Sequence, residues 1–133
     1  MELIKITPDT EKASSILKMI SLIEERIKKQ DRVKFAPLII VDYYEVIKEL
    51  ITALMLIDGY KTLSHKDLID YLKERYLDEF KMNNLVVLDS LRVLRNRVAY
   101  EGFFIEPSYL DRNEGNFSMI ISKLKLLVGK RIK

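Results

Sequence analysis

Cysteine and tryptophan are absent from this sequence, and histidine occurs once, as His65. Without cysteine there are no disulfides and no thiolate metal sites. With a single imidazole, neither a histidine-built zinc site nor a Ser-His-Asp triad away from residue 65 is readily assembled. No metal or other cofactor is therefore expected. Glycine and proline are scarce, at four and three in 133 residues, and no repeat, low-complexity tract or long linker appears. Neither sign of charge dominates: 23 Lys and Arg oppose 20 Asp and Glu, for a net +3. That excess permits an acidic partner such as RNA without requiring one. Long hydrophobic runs are missing too. The longest apolar stretch, within 35–58, is broken by Asp42, Glu45, Lys48 and Glu49, so no membrane span is expected. The lead Met1-Glu2-Leu3-Ile4-Lys5 lacks the basic start and apolar run of a signal peptide. With no cysteine, this fits a reducing cytoplasm. Abundant Lys, Glu and Ile fit a thermophilic source.

What is present is enough for one core. Hydrophobic residues make up 48% and charged residues 32% of the chain. Chains of this size bury roughly two-thirds of their unfolded surface, so residues 1–133 are expected to form a single domain. Thr7-Pro8 reads as an N-cap followed by a first-turn proline. Ala13, Ile16, Leu17, Ile20, Ile23 and Ile27 then recur at helical steps, up to a stop near Gln30. The basic segment Arg26, Lys28, Lys29, Arg32 and Lys34 reads as a solvated helix end favoured by the helix dipole; its alternative is part of a nucleic-acid footprint. A second helix, from about Phe35 to Asp58 and stopped by Gly59, is apolar almost all round. Its polar residues Asp42, Glu45, Lys48, Glu49 and Thr52 lie on one narrow stripe. Such a helix is either central in a bundle or shared with a second copy of the chain.

A third helix begins at Ser64, with Asp67 as capping-box partner and Leu63 stapled onto Leu68. This leaves His65 exposed at the first helical position. A fourth helix is expected over Asn83–Tyr100, stopped by Gly102. Glu106-Pro107 reads as a loop or turn. A last helix carries Phe117, Ile120, Ile121, Leu124, Leu127 and Val128 on one face and ends in the basic tail Lys130-Arg131-Ile132-Lys133. The expected fold class is all-α, an antiparallel bundle of about five helices.

The chemistry concentrates in Leu91–Gly102. At about 100° per residue, Val87, Leu91, Leu94 and Val98 gather on one side of the fourth helix as its core face. Arg92, Arg95, Asn96, Ala99 and Tyr100 gather on the other, across an arc of about 140°. Ala99 lies mid-arc and leaves room for a ligand to approach. Guanidinium groups match phosphate oxygens with a planar fork of donors. Asparagine donates and accepts, and tyrosine offers a stacking face and a hydroxyl. The pattern describes a phosphate or RNA contact surface; its alternative is an ordinary charged outer face.

Arg95-Asn96 near the end of a late helix, followed by Tyr100 and Gly102, resembles the signature of HEPN domains. In that family the motif is an arginine, a polar residue that is often asparagine, a few further residues and a histidine. The resemblance in helix number and order covers nearly the whole chain. It implies a two-fold homodimer that brings two motif helices together. It also implies either a metal-independent endoribonuclease, of the kind found in toxin–antitoxin pairs, or a partner of a minimal nucleotidyltransferase. Arg95 aligns with the family arginine and Asn96 with the polar residue after it.

Tyr100 stands where the family has histidine. A phenol titrates near pH 10 and an imidazole near 6.5, a gap worth about 5 kcal/mol of proton affinity. Tyr100 is thus a poor base near neutrality, although it can still donate a hydrogen bond or a proton beside Arg95. His65, on another helix, is not expected to substitute. The sequence therefore favours a HEPN-like module that binds RNA, nucleotide or a nucleotidyltransferase partner with weakened catalysis. The alternatives are an active endoribonuclease toxin using Arg95 and Tyr100, and a purely structural dimerisation module.

Overall fold

Apolar residues at three- and four-residue steps fold into the helices they predict. The computed structural model describes residues 1–132. It contains α1 (Thr10–Lys29), α2 (Ala36–Asp58), α3 (His65–Arg75), α4 (Met82–Glu101) and α5 (Pro107–Ile132). Lys133, the end of the basic tail, lies outside the described residues. The remaining regular structure is a two-stranded antiparallel ribbon, β1 (Ile4–Lys5) with β2 (Tyr60–Lys61), in the register Ile4 to Lys61 and Lys5 to Tyr60. Among the described residues no helix is long and apolar enough to cross a membrane.

α2 is the hub. It packs against α1, α3, α4 and α5, and it is buried on nearly every side, from Ala36 through Ile47, Leu50, Ile51 and Leu54 to Ile57. Of the two options left open for this helix, the central one holds. One copy of the chain screens most of α2 by itself. α1 contributes Ala13, Ile20, Ile23 and Ile27 to the core. α5 contributes Leu110, Phe117, Ile120, Ile121, Leu124 and Val128.

Helix ends depart from the sequence expectations in three places. α1 is capped by Asp9, not Thr7, and its carboxylate accepts from the Lys12 backbone N–H at 3.0 Å. A carboxylate is the better partner for the positive end of a helix. The residues before it instead pair with the end of α2, where Ile6 N donates to Gly59 O at 2.9 Å and Asp9 N to Leu56 O at 3.0 Å. At α3, Ser64 is the N-cap but forms no side-chain cap hydrogen bond. Asp67 accepts from the Thr62 hydroxyl at 3.0 Å instead. Leu63 is 92% exposed, so it makes no staple onto Leu68. Pro107 is the first residue of α5 rather than part of a loop: its missing N–H and fixed φ suit a first helical turn.

Gly59 turns the chain out of α2 at φ 90°, and a Cβ there would stand 3.0 Å from Ile6 O. Both the positive φ and the close approach select glycine. Gly59→Ala should destabilise the domain by about 1–3 kcal/mol, read as a lower urea midpoint with an unchanged slope. A loss below about 0.5 kcal/mol would contradict this account of the turn.

Candidate functional site

Three of the five cations at the end of α1 and in the loop after it, Arg26, Lys29 and Arg32, enter ion pairs. Arg26 donates to both oxygens of Asp42, at 2.7 and 3.0 Å, and Gln30 adds a third hydrogen bond to the same carboxylate. Asp42, placed by sequence on a polar stripe, is in fact buried by this contact. Lys29 pairs with Glu25. Arg32 bridges Asp111 and Glu114 of α5, and Glu114 also accepts from the Tyr43 hydroxyl at 2.6 Å. These cations tie α1 and its following loop to α2 and α5. Arg26, Lys29 and Arg32 are thus committed to carboxylates within the fold.

The α4 arginines behave differently. The buried residues of this helix are Asn84, Leu85, Leu88 and Leu91, while Val87, Leu94 and Val98 are only partly buried. The core stripe therefore lies rotated from the one read on the wheel. Arg95 follows Leu91 by one helical turn, so it continues the inward face instead of standing opposite it. Arg92, Arg95 and Asn96 are consequently half-buried, Ala99 is exposed and Tyr100 is 75% exposed.

Arg92 is committed to Asp89 at 3.0 Å. Arg95 is not paired with any carboxylate among the described residues. Its Nη1 donates to Asn96 Oδ1 and to Tyr100 Oη, both at 3.3 Å, longer than the usual range for such bonds. Its buried Nε has no hydrogen-bond partner. The guanidinium sits between two aromatic rings, 5.6 Å from the Tyr100 centroid and 5.9 Å from that of Tyr44 on α2. The four expected residues Arg92, Arg95, Asn96 and Tyr100 thus share one region, and Arg95 links Asn96 to Tyr100.

Tyr44 brings in two residues that the sequence pattern missed. The His65 ring packs on Tyr44 with centroids 6.0 Å apart and planes at 43°. Burial, then the charges of Lys48 and Arg95, hold the imidazole below its ordinary value of 6.5, and Glu45 opposes them. His65 is exposed, as expected, but it does not stand apart from the arginines. Lys48 lies near it on α2, ion-paired with Glu45 at 2.7 Å and Glu49 at 3.3 Å. Burial pushes the Tyr44 phenol up to about 12, with Arg92 and Arg95 opposing, so it stays protonated in the neutral range. The only signal for these members was chemical type: one histidine in the chain, and a tyrosine on an apolar helix.

The arrangement can take an anion. A guanidinium held by long, neutral hydrogen bonds exchanges them readily for shorter, charge-assisted bonds to phosphate oxygens. Arg92, Lys48 and His65 stand around it as further nitrogen donors, the first two already engaged by carboxylates. Among the described residues no three carboxylate or imidazole groups converge to hold a metal ion. No family model, no curated protein and no solved structure matches this chain.

Proposed function

We propose that this chain is a HEPN-like helical module whose Arg95 face binds the phosphates of RNA or nucleotides. One observation carries the reading: Arg95 is half-buried, lies between Tyr44 and Tyr100, and has no carboxylate partner among the described residues while its Nε is unpartnered. A cation withdrawn from water without a counterion is unfavourable, and a phosphate supplies the missing charge. The test is binding of a labelled single-stranded RNA over a range of salt. The reading expects affinity to fall steeply with salt and to depend on Arg95. No preference for RNA over a polyanion control, with Arg95→Ala indistinguishable from wild type, overturns it.

A metal-independent endoribonuclease is the second reading, favoured by the contact between Arg95 and the Tyr100 hydroxyl. In that chemistry the ribose 2′-hydroxyl gives its proton to water as its oxygen bonds to the adjacent phosphorus, and the P–O5′ bond breaks as the 5′-oxygen takes a proton, leaving a 2′,3′-cyclic phosphate and a 5′-hydroxyl. Tyr100 is placed to donate that proton while Arg95 holds the phosphate charge. Purified protein that leaves single-stranded RNA uncut across a broad pH range ends this reading and leaves binding alone.

For the homodimer expected from the sequence we favour α4, where the resemblance puts the paired motif helices, over α2. Support comes from the outward stripe Val86, Ser90, Val93, Arg97 and Tyr100, spaced alternately by four and three residues as in a helix-pairing seam. Val86 and Val93 are 62% and 46% exposed. A second copy, meeting the first across a two-fold axis, covers this stripe with its own. Sedimentation at about tens of micromolar, where micromolar or tighter pairs persist, should give a dimer that Val93→Glu converts to a folded monomer. A wild-type monomer overturns the pairing.

A further inference from the structure

The geometry points to His65 as a member of the Arg95 anion site, where it contacts the bound phosphate and makes occupancy depend on pH. The inference rests on the anion-binding reading of Arg95 and goes beyond it by adding a residue from a different helix. The single histidine of the chain opens α3 and packs on Tyr44 at 6.0 Å between centroids. Tyr44 also contacts the Arg95 guanidinium, 5.9 Å from its ring. One buried tyrosine therefore contacts both the imidazole and the guanidinium. His65 is exposed and Arg95 is half-buried, so a phosphate that reaches Arg95 from solvent arrives beside the imidazole.

The groups facing His65 decide its response. From α2 come the neutral phenol of Tyr44, the cation of Lys48 and the carboxylate of Glu45. From α4 come Arg92, with its partner Asp89, and Arg95. On α3 itself Lys66 and Asp67 adjoin it, and Asp67 is engaged by the Thr62 hydroxyl. Burial and the cations outweigh Glu45, so the free imidazole is held below 6.5 and is neutral at pH 7. An arriving phosphodiester adds negative charge to this balance and raises the value. By linkage the same coupling makes the anion bind more tightly as pH falls. Lysine and arginine hold their charge throughout this range, which leaves histidine as the switch.

One imidazole means one set of ring resonances, so the titration is read by NMR without further assignment. The probe is hexauridylate, whose phosphodiesters do not titrate near neutrality. Saturating hexauridylate should raise the His65 value by about half a unit or more, equivalent to about threefold tighter binding to the protonated form. His65→Asn should abolish that pH dependence while retaining binding through Arg95. In the free protein, Arg95→Gln should raise the His65 value by removing a nearby cation. An unmoved value in Arg95→Gln overturns the shared site whatever RNA does. Hexauridylate that binds through Arg95 yet leaves His65 unmoved overturns this inference and spares the anion-binding reading. Failure of hexauridylate to bind at all overturns both.

Discussion

Replacing Arg95 by alanine is expected to weaken binding of single-stranded RNA by roughly ten- to a hundredfold near 0.1 M salt. A hydrogen bond to a charged group contributes about 1.5–3 kcal/mol, and about 1.4 kcal/mol is a factor of ten. Arg95 can replace two long bonds to Asn96 and Tyr100 with short ones to phosphate, and its Nε is unpartnered. Arg92 gives a graded comparison. Its guanidinium is already paired with Asp89 at 3.0 Å, so Arg92→Ala should cost only about threefold, of the order measured for a partly neutralised surface cation. The slope of log affinity against log salt should drop by about one for each phosphate that the variant no longer neutralises. The helical circular dichroism of Arg95→Ala should match wild type, because this side chain makes no ion pair within the fold. Equal losses for Arg92→Ala and Arg95→Ala would show a diffuse positive surface in place of a site.

Asp58→Ala should remove roughly 2–4 kcal/mol of stability, the largest effect expected of any single polar substitution in this chain. Asp58 ends α2 and gathers three separate segments. It accepts from the fully buried Tyr71 hydroxyl of α3 and from the Tyr76 hydroxyl at 2.7 Å, and it ion-pairs with Arg131 of α5 at 2.5 Å. Alanine leaves the Tyr71 hydroxyl without its acceptor, and an unsatisfied buried polar group costs about 1–3 kcal/mol. The loss of the second acceptor bond and of the tie to Arg131 adds the remainder. Arg131 is the smaller part, because its partly exposed side chain turns to water. For a domain worth about 5–15 kcal/mol in total, thermal unfolding should fall by roughly 10 °C. A change under about 1 kcal/mol would show that the cluster is held by packing alone.

The same cluster sets an alkaline limit. Burial and then the Asp58 carboxylate push Tyr76 up to about 12 and raise Tyr71 further. A phenol that ionises less readily when folded stabilises the fold fully below its unfolded value near 10, and that contribution disappears as pH rises through the folded value. Stability should therefore decline above about pH 10, and less steeply in Tyr76→Phe. Urea unfolding at pH 8 and pH 11 measures the difference.

Arg95, Asn96 and Tyr100 were legible as a group because they lie within two helical turns, where a period of about 3.6 residues fixes which side chains are neighbours. The orientation of that group was not legible. Leu94 and Val98 do pack against the core, but its fully buried line follows Leu85, Leu88 and Leu91 and carries Arg95 half inward. A helical wheel gives relative angles but no origin, and only contact with α2 supplies one. Tyr44 and His65 belong to other helices, and no local spacing joins either of them to Arg95. The basic segment after α1 presented the reverse case. Its charges were plain in the sequence, but the partners of Arg26 and Arg32, namely Asp42, Asp111 and Glu114, lie far along the chain, so that pairing became visible only after folding.

By itself the sequence determined what is local: five helices from their apolar periodicity, the stops at Gly59 and Gly102, and a core drawn from the isoleucine and leucine faces of α1, α2 and α5. Tertiary structure alone decided what is relational. It made α2 the hub of one chain, paired Arg26 and Arg32, left Arg95 without a carboxylate among the described residues, and set His65 beside Tyr44. The division has a physical cause. Helical hydrogen bonds and caps join residues within about four positions of one another, whereas a site depends on which faces pack together, and that choice is made by burial over the whole chain at once.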